Sequence, residues 1–189
     1  PPILRQSVLD ARPSDEGHIL VYFTQEFESF MAMLDEFPRK RFLVYGAGHE
    51  GEEGNFSFRP FSLDGFLADL ASSKAVISTA GFTLMTEALQ LAKPMLALPM
   101  GGQFEQELNA HLLEDIGYGK NGRKADAETI GDFLYRIPEY QEALESYKPQ
   151  DNRAILAKLD ELLADDSALA KRFHEKRKGK LASGPKKIK

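Results

Sequence analysis

AVISTAGFTLMTEAL, residues 75–89, is the stretch that decides the fold of this chain. Its first four residues are apolar or small, as in a buried strand, and from Phe82 onward the apolar residues recur at helical spacing. Between the two patterns lies a short turn that contains Gly81. A strand that leads into a helix through such a turn is typical of the βα units of a parallel sheet.

Strand and helix patterns alternate along the rest of the chain. Strands are predicted over residues 18–23, 41–45, 56–59, 75–78 and 95–98, and helices over residues 25–37, 62–70, 82–92, 103–115, 127–135 and 151–164. In the helix at 103–115, Leu108, Leu112 and Ile116 are expected to form the buried stripe. The alternation predicts a single Rossmann-like three-layer α/β/α domain with a mostly parallel sheet of about six strands.

Charge and composition divide the chain into three parts. Residues 1–17 are polar and proline-bearing, which predicts an interdomain linker, and residues 18–165 form the predicted domain. Residues 166–189 form a basic tail, in which the part from Lys171 to Lys189 has nine Lys or Arg and one Glu, whereas the whole chain has a net charge of -5. The tail is predicted to be disordered and solvated; attraction to anionic lipid or nucleic acid is the alternative.

Several functional classes are excluded by composition. The 189 residues include no cysteine, which excludes disulfides, thiolate catalysis and cysteine-ligated zinc. The four histidines are scattered without the spacing of a helical metal site, so no metal or cofactor is expected. No apolar run approaches the roughly 20 residues that span a bilayer, and the start has no signal-peptide pattern. The expected location is cytoplasmic, with peripheral membrane association left open.

One glycine pattern suggests a dinucleotide site and is rejected. Gly46, Gly48 and Gly51 spell G-x-G-x-x-G directly after a predicted strand. In a dinucleotide-binding fold these glycines open a helix whose amides meet the pyrophosphate. Here the glycines are followed by Glu52, Glu53 and a further predicted strand, so a flexible loop is the better interpretation.

The turn at residues 79–83 has the properties of an anion site. Unpaired amides and the positive end of the helix dipole point toward such a turn, Gly81 permits close approach, and Thr83 adds a hydroxyl. Glu87 lies on the same helical face as Thr83, one turn further along. Because a carboxylate repels phosphate, Glu87 is better placed to accept hydrogen bonds from a sugar diol, such as the ribose hydroxyls.

A second polar cluster follows the strand that ends at Pro99. Gln103, Glu105 and Gln106 stand at the start of a helix, at the carboxyl edge where open parallel sheets bind ligands. Carboxylate and amide groups of this kind are suited to hydrogen-bonding the hydroxyls of a hexose. Glu105 and Gln106 are the stronger candidates, since Gln103 is equally explained as a solvated helix position.

Residues 81–113 match the pattern G-F-T-L-M-T-E-A-L-x-x-x-K-P-x-L-x-x-P-x-x-x-x-F-E-Q-x-x-N-A-x-x-L. This pattern resembles the donor-site signature of GT-B glycosyltransferases, in particular the subgroup related to the peptidoglycan-precursor N-acetylglucosaminyltransferase and to the UDP-glycosyltransferases. The resemblance implies that Gly81, Phe82 and Thr83 bind the donor diphosphate and that Glu87 binds the ribose. It also implies that Glu105 and Gln106, with Gln103 beside them, contact the sugar.

Less directly, the resemblance implies that Phe61 and Arg59 hold the nucleobase. Thr79 stands where the plant enzymes have a histidine, so their donor selectivity does not transfer.

The resemblance also implies what this chain does and what it lacks. We expect the C-terminal, donor-binding half of a transferase that uses a nucleotide sugar, with UDP as the expected nucleotide. The N-terminal half would supply the acceptor site and the catalytic base, so this half is predicted to be inactive alone. Nucleic acid is not an expected partner. The alternatives are a nucleotide-sugar 2-epimerase-like domain and a non-catalytic scaffold module that docks through its basic tail.

Overall fold

The structure, a computed structural model, describes residues 2–23 and 27–164, without the side chains of residues 27–29. Leu4–Gln150 forms one compact unit, and a helix over residues 153–164 belongs to a second unit. The tail predicted at 166–189 lies outside the described residues.

The larger unit contains a twisted sheet with helices on both faces. In chain order its elements are α1 (Gln6–Asp10), β1 (His18–Tyr22), α2 (Phe27–Asp35), β2 (Arg41–Tyr45), β3 (Gly51–Glu53), β4 (Phe56–Arg59), α3 (Leu63–Ser72), β5 (Ala75–Ser78), α4 (Phe82–Gln90), β6 (Met95–Ala97), α5 (Phe104–Asp115), β7 (Gly119–Asn121) and α6 (Ala127–Leu144). We call the helix at 153–164 α7. The strand order is β3-β4-β2-β1-β5-β6-β7, and every neighbouring pair is parallel except β3 with β4. The predicted Rossmann-like α/β/α class with a mostly parallel sheet is confirmed.

Two apolar clusters cover the two faces of the sheet, because successive side chains of each strand point to opposite sides. On β1, Leu20 packs into one cluster with residues of α1, α3, α4 and α5. Ile19 and Val21 pack into the other cluster with residues of α2 and α6. The strands are therefore buried on both sides, which explains their near-continuous apolar sequences.

The N-terminal segment packs on the larger unit. Leu4 and Val8 are 3% and 1% exposed, and Val8 belongs to the cluster formed with α3 and α4. The compact unit of the structure includes this segment from Leu4 onward, because Val8 packs against α3 and α4. The predicted linker and domain boundaries remain predictions.

Helix α5 turns a different face to the core from the one its sequence predicted. Leu108, Leu112 and Ile116 are 44%, 49% and 52% exposed, whereas Ala110 and Leu113 are buried. The expected stripe was therefore wrong. Helical spacing alone fits either face, and the buried face is inconspicuous because it contains a small residue and the polar Asn109.

Helix α6 continues past its predicted end at residue 135 to Leu144, with Pro138 inside it. A proline removes one backbone hydrogen bond and disfavours a helix interior. Ile137 and Tyr140 on either side of Pro138 are 1% and 4% exposed. Their burial keeps the helix on the sheet across the proline.

The glycine loop after β2 opens no helix, in agreement with the rejection of a dinucleotide site. Gly46 has a φ of +94°, and a Cβ atom there would lie 1.8 Å from the carbonyl oxygen of Phe23. The chain then forms β3, which the sequence did not predict and which pairs antiparallel with β4. Gly46 therefore permits the close passage of two loops at the carboxyl edge of the sheet.

Among the described residues, no helix is long and apolar enough to cross a membrane. The same residues contain no group of three or more His, Asp or Glu side chains placed to hold a metal ion.

Candidate functional site

The order of the strands places a topological switch point between β1 and β5. Strands β1 and β5 are neighbours in the sheet. The chain leaves β1 toward β2 on one side of this pair and leaves β5 toward β6 on the other side, so the two connections diverge at the carboxyl ends of β1 and β5. Open parallel sheets bind ligands at such a switch point. The Ser78 hydroxyl, at the end of β5, donates a 2.6 Å hydrogen bond to the carbonyl oxygen of Tyr22 at the end of β1.

The first turn of α4 follows β5 at this switch point. Gly81 is its N-cap residue, and no side chain caps the helix. The first helical hydrogen bond runs from the Met85 amide to the Gly81 carbonyl, at 3.1 Å, so the amides of residues 82–84 precede it. A Cβ atom on Gly81 would meet nothing within 4 Å. Thr83 is exposed beside these amides, and together they can bind an anion.

Glu87 lies one turn further along α4 and is paired with a residue that the sequence analysis missed. Its side chain is only 4% exposed, and both carboxylate oxygens accept hydrogen bonds from the Arg5 guanidinium, at 2.7 Å from Nε and 2.8 Å from the terminal nitrogen. The hydrogen bond to Glu87 raises the pKa of Arg5 above its usual value. No sequence pattern links the two residues, because they are 82 positions apart and meet only when α1 packs on α4.

The bidentate pair fixes the Glu87 carboxylate and compensates its charge. It occupies one lone-pair site on each oxygen, and a carboxylate has about four such sites. Arg5 remains 40% exposed. The Glu87 side chain itself is almost completely buried, at 4% exposure, so Arg5 covers most of the carboxylate.

The loop after β6 and the start of α5 supply the second polar cluster. Gln103 and Glu105 are exposed, and Gln106 is half-buried. The Gln106 side-chain oxygen accepts a 3.0 Å hydrogen bond from the Met100 amide, which orients the side chain within its own loop. Within the described residues the Gln106 amide nitrogen has no hydrogen-bond partner, so it is available as a donor.

A buried amide joins the two clusters. The side-chain nitrogen of Asn109, on α5, donates a 3.0 Å hydrogen bond to the carbonyl oxygen of Ala80, in the turn before α4. Asn109 is 7% exposed. The sequence pattern contains Asn109 without indicating a role, whereas in the structure its side chain holds the turn against α5.

Phe61 and Arg59 lie at the end of β4, on the other side of β1. The Phe61 ring is 59% exposed, and its centroid lies 6.2 Å from that of Tyr22 and 5.8 Å from that of Phe66. Arg59 is exposed. An aromatic ring that is more than half exposed can stack on a planar ligand.

Every predicted site residue therefore lies at the carboxyl edge, after β4, β5 or β6. The direct contacts join α4 to α5 through Asn109 and join α4 to α1 through Arg5. The site offers backbone amides for an anion, a side-chain amide for hydroxyl groups, and an exposed aromatic ring, beside a buried carboxylate that Arg5 holds in place. No hydrogen bond among the described residues joins Glu105 or Gln103 to Glu87.

Comparison with known proteins places this arrangement in a family. The family model described as "Glycosyl transferase family 1" matches residues 1–138. An uncharacterized glycosyltransferase of Methanosarcina mazei is 45% identical over 51 residues, which are 27% of this chain and 14% of that protein.

Two solved structures share the fold. The spinosyn forosaminyltransferase SpnP matches with a TM-score of 0.54 and 22% identity, over 84% of this chain and 47% of its own. Phytolacca americana UGT2, in complex with UDP-2-fluoro-glucose and pterostilbene, matches with a TM-score of 0.58 and 14% identity, over 84% of this chain and 44% of its own. The matched regions cover 14%, 47% and 44% of these three proteins. This chain belongs to glycosyl transferase family 1, as a glycosyltransferase domain of the GT-B type.

Proposed function

We propose that this chain is the donor-binding half of a glycosyltransferase that transfers a sugar from a UDP-sugar to an acceptor. The observation that supports this most directly is the uncapped start of α4 at the switch point, with the Glu87 carboxylate fixed one turn away. Amides followed by a carboxylate match a ligand in which a phosphate is followed by a diol. A nucleoside diphosphate presents this order of groups.

In this proposal the ligand lies along the carboxyl edge of the sheet. Gly81, Phe82 and Thr83 bind the diphosphate through their backbone amides and the Thr83 hydroxyl. Glu87 accepts hydrogen bonds from the ribose hydroxyls.

The two ends of the ligand extend in opposite directions along the same edge. Phe61 stacks on the nucleobase, and Arg59 lies beside it. On the other side, Glu105 and Gln106 contact the donor sugar, with Gln103 next to them. The order of β4, β1, β5 and β6 in the sheet supports this arrangement, because the base, the phosphate and the sugar residues follow in that order across the edge.

Arg5 has a positioning role in this proposal. It holds the Glu87 carboxylate in one orientation and compensates its charge close to the diphosphate. A neutralised carboxylate can lie one sugar away from the phosphates without strong repulsion.

The chemistry itself is divided between this half and a second domain. An acceptor oxygen attacks the anomeric carbon of the sugar, the bond to the diphosphate breaks, and UDP leaves. The α4 amides stabilise the charge that develops on the leaving diphosphate. We propose that the second domain binds the acceptor and supplies the general base that removes its proton, which is consistent with matches that cover less than half of SpnP and UGT2.

Calorimetric titration with UDP tests the binding site. We expect millimolar or tighter binding by the wild-type chain, and binding at least about tenfold weaker in Glu87→Gln and Thr83→Ala, since each removes a hydrogen bond to a charged or fixed group. The matched controls are Glu128→Gln and Thr129→Ala in the first turn of α6, which should bind UDP as wild type does. A parallel titration with thymidine diphosphate compares nucleobases.

Two results would overturn the proposal. One is the absence of any binding of UDP or thymidine diphosphate at millimolar concentration. The other is steady product formation by this chain alone with a UDP-sugar and an added acceptor, which would contradict the division of the chemistry between two domains.

A further inference from the structure

Tyr22 and Tyr45 occupy matching positions at the carboxyl ends of β1 and β2. They are register partners in the sheet, and both pack in the apolar cluster that includes residues of α3 and α4. Tyr45 is 2% exposed, and its hydroxyl donates a 2.6 Å hydrogen bond to the Asp69 carboxylate on α3. Tyr22 is half-buried, and its hydroxyl has no hydrogen-bond partner among the described residues. Because a phenol hydroxyl can both donate and accept, Tyr22 has unused hydrogen-bonding capacity.

Tyr22 lies between the parts of the carboxyl edge to which the base and the diphosphate are assigned. On one side, its ring centroid lies 6.2 Å from that of Phe61. On the other side, its partner in the sheet is Ser78, whose hydroxyl bonds the Tyr22 carbonyl oxygen and which precedes the turn at Gly81. Neighbouring strands lie about 4.8 Å apart, so Tyr22 is about one strand spacing from the end of β5. A ligand that extends from Phe61 to Gly81 therefore passes Tyr22.

We propose that the Tyr22 hydroxyl hydrogen-bonds the ribose hydroxyls of the donor nucleotide and makes this chain selective for ribonucleotide donors. This role rests on the proposed function, in which Phe61 stacks on the base and Gly81 lies at the diphosphate. In a nucleoside diphosphate the ribose joins these two groups, so it lies where β1 ends. Tyr22 brings a free hydroxyl to this place.

Tyr22 complements Glu87 in this role. The Glu87 side chain is 4% exposed, and Arg5 already bonds both of its oxygens. The carboxylate therefore has little capacity left for a diol. The Tyr22 hydroxyl has no such competitor among the described residues, and because it is uncharged it can lie close to the diphosphate without electrostatic repulsion.

Calorimetric titration with UDP and with 2′,3′-dideoxyuridine diphosphate tests this role. The wild-type chain should bind UDP more tightly than the dideoxy compound. Tyr22→Phe should bind UDP roughly three- to tenfold more weakly than wild type, which is the loss expected for one hydrogen bond. It should bind the dideoxy compound as wild type does, because that ligand has no ribose hydroxyls for Tyr22 to contact. A merely structural role of Tyr22 would weaken both ligands alike.

Tyr45→Phe is the matched control. It removes a hydroxyl from the partner tyrosine, but that hydroxyl is bonded to Asp69. The affinities for both ligands should therefore remain those of wild type. Both variants keep the aromatic ring and its packing, and circular dichroism together with the melting temperature checks that they are folded.

Four results would overturn the role of Tyr22 while leaving the donor site in place. The first is equal affinity of the wild-type chain for UDP and the dideoxy compound, a comparison that needs no variant. The second is unchanged UDP affinity in Tyr22→Phe, and the third is an equal loss for both ligands. The fourth is a loss in Tyr45→Phe as large as that in Tyr22→Phe. Failure of the wild-type chain to bind either ligand would instead overturn the proposed function, and this role with it.

Discussion

At the scale of single residues, the pair of Arg5 and Glu87 is the contact with the greatest consequence. Arg5→Met leaves the Glu87 carboxylate, 4% exposed, without its cation. We expect the free energy of unfolding to fall by about 1–3 kcal/mol, less than for a fully buried pair because Arg5 is partly exposed to solvent. Denaturant titration measures this change, and UDP affinity should fall with it.

Arg12→Met is the control for this variant. Arg12 is an exposed arginine in the same N-terminal segment, and within the described residues it forms no ion pair. Equal effects of the two substitutions on stability and on UDP affinity would contradict the positioning role of Arg5.

Lys93 is a second residue whose burial has a measurable effect. It is 5% exposed, and its ammonium donates a 2.5 Å hydrogen bond to the carbonyl oxygen of Ser14. Burial lowers the pKa of Lys93 from 10.5 to about 8, and the charge of Asp15 partly opposes this. In the unfolded chain Lys93 keeps its proton up to about pH 10.5, whereas in the folded protein it loses the proton above about pH 8. The free energy of unfolding therefore rises with pH between pH 8 and pH 10.5.

The Lys93→Met variant lacks this pH dependence. The unfolding free energy of wild type minus that of the variant should rise by up to about 3 kcal/mol between pH 8 and pH 10.5. Chemical denaturation at a series of pH values measures the difference. A constant or falling difference would show that Lys93 is solvated in the folded state.

At the scale of elements, α5 provides a direct test of which face is buried. Leu113 is 1% exposed and Leu112 is 49% exposed, although they are neighbours in sequence. Leu113→Ala should lower the free energy of unfolding by about 2–5 kcal/mol, whereas Leu112→Ala should lower it by less than about 1 kcal/mol. Thermal unfolding of both variants decides this, and a larger loss for Leu112→Ala would restore the face that the sequence predicted.

The loop after β2 provides a test of close packing. Gly46 and Gly48 both have positive φ, +94° and +79°, but only at Gly46 does a Cβ atom meet backbone, 1.8 Å from the Phe23 oxygen. Gly48→Ala should cost about 1 kcal/mol for its conformation alone, and Gly46→Ala should cost roughly 3 kcal/mol or more because backbone must also move. Equal stabilities of the two variants would mean that the loop moves away from β1 freely.

At the scale of the whole molecule, the larger unit should fold by itself. The two apolar clusters on the faces of the sheet lie entirely within Leu4–Gln150. A chain of residues 4–150 should therefore unfold cooperatively, with a melting temperature within a few degrees of that of the full chain. It should also bind UDP with unchanged affinity.

Differential scanning calorimetry and UDP titration of residues 4–150 check both statements. Loss of cooperative unfolding would show that the C-terminal region contributes to the core. A chain of residues 18–150, in contrast, lacks Leu4, Arg5 and Val8, and we expect it to be less stable and to bind UDP more weakly.

The sequence by itself determined the class of the fold and predicted the edge of the sheet at which the candidate site lies. Uninterrupted apolar strands and the turn at Gly81 predict a parallel sheet, because only burial on both faces requires such strands. The same turns place Thr83, Glu87, Glu105 and Gln106 at one edge, since the carboxyl ends of parallel strands always meet there. These are local properties, which depend on spacing of a few residues.

Tertiary structure alone decided which distant groups meet. Arg5 pairs with Glu87 only because α1 packs on α4, and a single arginine in a polar segment gives no sign of this. The buried face of α5 was likewise set by Asn109 and Leu113 against the sheet, since helical spacing fits two faces equally well. Periodicity reports the neighbours of a residue along the chain, whereas contacts across 82 positions depend on the packing of whole elements.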